Sequence, residues 1–458
     1  MSSRFLSVIV ALTGALALGA TGTLSAQAAS TKVDAFRSKI DHIVVIYQEN
    51  WSFDGLYGRF PGADGIAQAS AASLTQRAKD GSALLAAPSP TIGGKPDPAF
   101  AKADLAALLK PYDAGAFTPA ESLTGDLVHR FYTNQLQIDG GKNDKFVAWS
   151  DNGGLVMSSY DATNLPEGKL AQQNVLFDRF FMGAFGGSFL NHQFLIAARP
   201  PVFPNAPTAM VATPPDAQGL TVADKVVTPD GYVVNTAFTV NTPHPSNADP
   251  TTLVPNQTYA TIGDRLSEKG LAWAWYSGGW NDAVAGHPDP LFQYHHQAFA
   301  FFAKYADGTV GRKEHLKDEA EFLAAAQAGD LPAVAFVKPL GEDNEHPGYA
   351  SLAQGQQHVA DLVAAIQASP AWKNTAIFIT YDENGGRWDH AAPPVIDRWG
   401  PGSRVPTILI TPFEKKGSVD HGTYDTTSIL KLIETRWNLA PLTDREAKAG
   451  DLLAAFQF

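Results

Sequence analysis

Seven consecutive residues without glycine, proline or charge, Thr375-Ala-Ile-Phe-Ile-Thr-Tyr381, run directly into Asp382-Glu383-Asn384-Gly385-Gly386. An apolar and β-branched run of this kind, lacking polar alternation, suits a strand buried on both faces in a parallel sheet. The acids begin where the strand stops. In open α/β sheets the ligand crevice lies at the carboxyl ends of the strands, so a carboxylate pair there stands where it can be used. Asp389 and His390 follow, giving four groups able to hold a metal within nine residues, before Pro393-Pro394 stiffens the exit.

The N-terminal part repeats this design. Residues 43–47, Ile-Val-Val-Ile-Tyr, read as a second buried strand, with Glu49-Asn50 at its carboxyl end. Carboxylate and amide oxygens are hard ligands suited to a divalent cation beside an anionic substrate. The chain has no cysteine, so any metal is held by oxygen and imidazole, and a thiol nucleophile is excluded. Further buried strands are expected over 271–276, 331–337 and 405–411. Helices are expected over 258–269, 351–368 and 425–437, the last capped by Asp425. This alternation predicts an α/β fold with a largely parallel central sheet and helices on both faces. Residues 61–119 and 200–255, dense in Ala, Gly, Ser, Thr and Pro, read as a cap or peripheral insertions, helical only over 99–110.

Residues 1–28 carry Arg4, an apolar run over 5–18 and Ala26-Gln27-Ala28, the pattern of a secretory signal. The expectation is an exported protein, periplasmic or secreted, with no stable membrane anchor and one domain over 29–458. The full chain carries a net charge of −12. Loss of Arg4 leaves 33 basic against 46 acidic residues, net −13, which argues against a nucleic-acid partner.

A strand-like segment at 175–182 leads into Gly186-Gly187-Ser188, after which a helical pattern follows. Ser188 suits two roles: an N-cap, or a hydroxyl that attacks phosphorus while helix N-terminal N–H groups hold the phosphoryl oxygens. His129 stands three residues after Asp126, as if on one helical face with it. His295 and His296 are adjacent, so a regular element would point them to different sides. His346 follows Glu345 beyond the strand over 331–337, on the active edge.

Four ordered motifs then align with one family. Gln-Glu-Asn-x-Ser-Phe-Asp at 48–54, Gly-Gly-Ser-Phe-Leu-Asn-His at 186–192, Glu-His-Pro-Gly at 345–348 and Tyr-Asp-Glu-Asn-Gly-Gly at 381–386 resemble the bacterial phosphoesterases that include non-haemolytic phospholipases C and related acid phosphatases. The resemblance spans about residues 40–458 and implies an alkaline-phosphatase-like fold. It implies a divalent metal, identity unspecified, held by Glu49, Asn50, Asp382, Glu383 and the nucleophile Ser188. It further implies His129, His295, His296 and His346 around the phosphate. One departure is Trp51, where many members carry Arg; it bears on the substrate-facing chemistry beside Asn50.

Within that family three features favour an acid phosphatase acting on small phosphorylated substrates through a phosphoseryl intermediate: the chain's extent, ending at Phe458; serine in the nucleophile motif, where the phospholipase branch more often has threonine; and the histidines, expected to be protonated below neutrality. The alternative is a phospholipase C acting on phosphatidylcholine-type diesters, with Trp273, Trp275 and Trp280 as a choline cage. A reading from another class, a secreted metal-dependent binding protein with a degenerate site, is disfavoured by the presence of both Ser188 and Glu383.

Overall fold

The computed structural model describes residues 31–458, so the export signal read over 1–28 lies outside the described residues. The apolar runs become the main sheet: β1 (His42–Gln48), β2 (Val175–Phe177), β3 (Trp273–Ser277), β4 (Leu316–Asp318), β5 (Val334–Lys338), β6 (Thr375–Tyr381), β7 (Thr407–Ile410) and β8 (Ser418–Asp420). Their order is β8-β2-β7-β6-β1-β5-β3-β4. Strand β7 is antiparallel to both β6 and β2, and every other pairing is parallel. The two strands that end in acids, β1 and β6, are neighbours near the middle, with all seven residues of β6 buried. Glu49-Asn50 and Asp382-Glu383 therefore emerge side by side.

The helices used below are α1 (Phe131–Ile138), α2 (Pro166–Gln173), α3 (Ser188–Ala197), α4 (Ile262–Glu268), α5 (Leu352–Ala368) and α6 (Thr426–Trp437). Register assigns them to faces. Gln48 is level with Tyr381 and Tyr47 with Thr380, and successive strand residues point to opposite faces. The Tyr381 hydroxyl donates to Glu167 on α2, at 3.1 Å, whereas the Tyr47 hydroxyl donates to the Asn191 carbonyl on α3, at 3.3 Å. Helices α2 and α3 thus cover opposite faces, with α5 packed beside α2 and α6 beside α3. Three of these helices start on a capping side chain: Thr261 for α4, Ser351 for α5 and Asp425 for α6.

Residues 61–119 and 200–255 contribute nothing to the eight-stranded sheet. The first region lies on a smaller apolar cluster that includes Phe100, Leu108, Phe146, Val156 and Trp388. The helix expected over 99–110 is replaced by two short turns, Pro98–Phe100 and Ala107–Leu109. Asp97 and Asp104 accept the N–H groups of Ala99 and Ala106, offering the backbone local bonds that compete with a helix. Among the described residues, no helix is long and apolar enough to cross a membrane.

Candidate active site

Five side chains from three distant segments meet at the carboxyl edge of β1 and β6. Glu49, Asn50, Asp382 and Glu383 are fully buried, and Ser188 is 4% exposed. The approach depends on glycine at two positions. A Cβ on Gly385 would lie 2.2 Å from the Asn50 carbonyl oxygen, and one on Gly187 would lie 2.6 Å from the His129 carbonyl oxygen. Either methyl group would push the segments apart. Asn50 itself has φ 108°, an uncommon conformation for a residue with a side chain, of the sort held in place at functional turns.

Ser188 is not an N-cap. Gly187 occupies the cap position of α3, no side chain caps that end, and Ser188 is the first helical residue. Its hydroxyl donates instead to Asn50 Oδ1 at 3.4 Å and also interacts with Asp382. The serine points into the cluster of acids, and the capping role is excluded.

The electrostatics of this cluster are unusual for a site of pure protein. Burial, followed by the neighbouring Glu49 charge, pushes the Asp382 carboxyl well above the usual range. Burial and then Asp382 do the same to Glu383. Glu49 goes the other way: burial would raise it, but close contact with His296 and Lys338 outweighs this and holds it well below the usual range. Buried polar atoms in native proteins are nearly always hydrogen-bonded. Here Asn50 Nδ2, Asp382 Oδ2, Glu383 Oε1, His192 Nε2 and His295 Nδ1 have no hydrogen-bond partner. Glu49 Oε1, His296 Nε2 and Lys338 Nζ join them: they approach within 2.5–2.7 Å as charge contacts, but not at hydrogen-bond angles. With Asp382 Oδ2 and Glu383 Oε1 uncommitted and the side-chain oxygens of Glu49 and Asn50 beside them, three carboxylates and an amide form a donor set that fits a hard divalent cation.

The histidines sit around this centre. His296 Nε2 lies 2.5 Å from Glu49 Oε1, His346 Nε2 3.9 Å from Glu49 Oε2, and His129 Nε2 3.8 Å from Glu383 Oε1. His295 and His296 lie in a tight turn with ring centroids 4.5 Å apart, and both are buried. The turn keeps neighbouring side chains on one side, so the divergence expected of a regular element does not occur. The expected helical face linking Asp126 and His129 is absent, because residues 123–130 are irregular and α1 begins only at Phe131. The two still approach at 3.9 Å, and His129 Nδ1 bonds the Leu127 carbonyl at 2.6 Å. Two clusters suited to metal ligation result: Glu49 with His192 and His296, and Asp126 with His129 and His346.

Burial holds three of these imidazoles below their ordinary range. His296 falls to about 4, and His295 and His346 are also lowered, against the expectation that these rings are readily protonated below neutrality.

Sequence reading missed two members. His192, one turn after Ser188 on α3, bonds the Ser188 carbonyl through Nδ1 at 2.7 Å and stacks on His296 at 5.0 Å. The i, i+4 spacing from Ser188 was the available signal. Lys338, fully buried, ends β5 at the active edge with Nζ 2.7 Å from Glu49 Oε1. A lysine closing an otherwise apolar strand was its signal. Asp389 and His390, by contrast, do not join the acids of the same stretch. Asp389 pairs with Arg404 at 2.8 Å and His390 with Asp54 at 2.7 Å, in a separate buried network centred on that arginine. Trp51 is buried, its indole N–H donating to the Glu345 carbonyl at 3.1 Å, with the Arg387 guanidinium over its ring at 3.9 Å.

A model of the Phosphoesterase family matches residues 40–440, which include every residue of the site. The chain belongs to the Phosphoesterase family. As a phosphoesterase it is 25% identical over 471 residues to a non-hemolytic phospholipase C of Burkholderia pseudomallei, an alignment covering 92% of this chain and 59% of that protein. It is 24% identical over 472 residues to phospholipase C B of Mycobacterium tuberculosis, covering 92% of this chain and 78% of that one. A non-specific phospholipase C of Arabidopsis thaliana is 30% identical over 237 residues, 43% of this chain and 40% of the plant protein. Membership and these relatives support phosphoric ester hydrolysis as the class of reaction.

Proposed function

We propose that this phosphoesterase is an exported, metal-dependent hydrolase of small phosphate monoesters, of acid-phosphatase type, working through a phosphoseryl intermediate on Ser188. The observation that carries the reading is the Ser188 hydroxyl: buried, free of any capping duty, and turned toward Asn50 and Asp382 at the start of a ten-residue helix. A divalent cation held by Glu49, Asn50, Asp382, Glu383 and Ser188 would stabilise charge on the phosphoryl oxygens and favour ionisation of the hydroxyl. Ser188 Oγ, its proton passing to solvent, attacks phosphorus, the bond to the leaving alcohol breaks, and a protonated imidazole gives that alcohol its proton. Free N–H groups of the first turn of α3 donate to the phosphoryl oxygens. His129 and His346, whose Nε2 atoms face the carboxylates from the open side, are the candidates for the proton; His295 and His296 hold oxygens. Water then attacks the phosphoserine with the same imidazole as base, returning serine and phosphate.

Phospholipase C is the second reading, favoured by the names of the relatives. Two features of the site favour the monoesterase. The cavity of about 270 Å³ that opens beside Gly187 and His129 has a polar side formed by Asp126, Asp151, Asn235 and Thr236. It suits a small hydroxylated leaving group better than a diacylglycerol, which needs a long apolar groove. The tryptophans proposed for a choline cage are spent elsewhere: Trp273 stacks on His315 at 4.1 Å, Trp275 on Phe336 at 5.4 Å, and Trp280 lies under Arg312. The test compares p-nitrophenyl phosphate with p-nitrophenylphosphocholine on the purified protein, with and without chelator. Faster hydrolysis of the phosphocholine ester would establish the phospholipase reading instead.

A further inference from the structure

Lys338 takes no part in the reaction as written, yet it is the most constrained charge in the site. Its side chain is fully buried, and among the described residues its one ion-pair partner is Glu49. Taking an ammonium out of water costs several kcal/mol unless it is paired, so the partner matters. Nζ lies 2.7 Å from Glu49 Oε1, the oxygen that His296 Nε2 also approaches, at 2.5 Å. Oε2 has looser neighbours, the Tyr349 hydroxyl at 3.4 Å and His346 Nε2 at 3.9 Å. The two oxygens of one carboxylate are therefore differently committed. The Tyr47 ring, 5.5 Å from Nζ, closes the ammonium in from another side.

We propose that Lys338 is a positioning residue for the metal centre: it fixes Oε1 of Glu49, leaves Oε2 for the cation, and supplies a positive charge with which three convergent carboxylates accept a single divalent ion. The inference rests on the metal-dependent reading above. Charge counting carries its second half. Glu49, Asp382 and Glu383 bring three negative charges when ionised; Lys338 cancels one and one divalent ion the other two. A second divalent ion would leave the centre strongly positive. Lysine suits this place because its ammonium is a compact point charge on a flexible stem, whereas a guanidinium is planar and needs more room.

The test titrates chelated wild-type protein and Lys338→Met with Mn²⁺ by calorimetry, with elemental analysis for stoichiometry. One ion per wild-type chain is expected. The Met variant should bind about 10–100-fold more weakly, the loss seen when groups that orient metal ligands are removed. The chain has no cysteine, so Lys338→Cys can be alkylated in denaturant with 2-bromoethylamine and refolded, which restores an ammonium at nearly the same reach. Recovered Mn²⁺ affinity, against wild type carried through the same steps, separates the charge from packing and decides the matter if the Met variant does not fold. Two ions per wild-type chain, or a Met variant within about threefold of wild type in Mn²⁺ affinity, overturns the proposal. So does unchanged Mn²⁺ affinity with a raised KM, which would make Lys338 a substrate-binding group. Wild type that binds no metal overturns the metal-dependent reading along with it; metal bound equally by both proteins overturns this inference alone.

Discussion

Replacing Ser188 by alanine removes one oxygen from the centre of the site and almost nothing from the fold. The hydroxyl caps no helix, and its hydrogen bond to Asn50 Oδ1 is long at 3.4 Å. Such a bond contributes about 0.5–1 kcal/mol at most. Alanine, the better helix former, offsets about 0.5 kcal/mol of that. The net change in stability stays within about 1 kcal/mol, a shift in Tm of no more than about 2–4 °C. If Oγ is the attacking atom, turnover should instead fall by at least about 10⁴-fold, some 5.5 kcal/mol of activation free energy at about 1.36 kcal/mol per tenfold. The assay pairs kcat/KM on p-nitrophenyl phosphate with thermal melts and metal content of both proteins. Acid-quenched wild type should also yield a phosphorylated peptide containing Ser188. Turnover of the variant within about tenfold of wild type would refute the reasoning and move the nucleophile to water. A fall in Tm of more than about 4 °C would refute the structural half, showing that the hydroxyl holds the fold.

The other expectations are briefer. Glu383→Ala should lose bound metal and hydrolysis together, because Oε1 of Glu383 is buried without a hydrogen-bond partner and is free to ligate; an active, metal-free variant would contradict this. Turnover efficiency should be at least about tenfold higher on p-nitrophenyl phosphate than on p-nitrophenylphosphocholine, since each 1.4 kcal/mol of selective contact is worth that factor. Glu167→Gln should flatten the pH dependence of stability. Burial, only partly offset by hydrogen bonds with Glu345 and Tyr381, raises the Glu167 carboxyl to about 7. The folded state therefore keeps a proton that the unfolded state loses near 4.5, so this group's contribution is full below about 4.5 and falls as pH rises toward 7. Urea midpoints at pH 5 and pH 7 should differ less in the variant, and an unchanged difference would dismiss the idea.

Much of this arrangement can be read from local pattern, because burial on both faces leaves a local signature. The run over 375–381 is a strand with those bounds, and the strand read over 43–47 is β1 with one residue added at each end. Asp425 caps the helix it was expected to cap, and the helix read over 351–368 is Leu352–Ala368 with Ser351 as its cap. What local pattern does not contain is neighbourhood. The reversal of β7 is made by the connection over 382–406, and the order of the sheet depends on long connections, two of which run through the insertions. Asp389 and His390 have the residue types and spacing of ligands, yet Arg404, fifteen residues beyond Asp389, draws that acid into a different network. Only tertiary structure distinguishes an acid facing a cation from one facing an arginine.

The same limit governs the charge of the site. Four histidines near a phosphate suggest a cationic pocket, and from residue type alone they would be cations in mild acid. Desolvation works against this for His295, His296 and His346, because a buried imidazole loses more hydration energy on protonation than its neighbours return. In the proposed reaction these imidazoles orient a phosphoryl group, but with protonation disfavoured they do little to balance three carboxylates. That task falls to Lys338, among the described residues the one lysine or arginine paired with these acids, together with the divalent ion proposed for them. The more open side of the site is the cavity that His129 and Asp126 border. The division is consistent with the layout: fixed charge lies at the buried end of the site, formed by strand termini, and proton transfer lies at the open end, formed by the segment that Gly187 allows to close over the nucleophile.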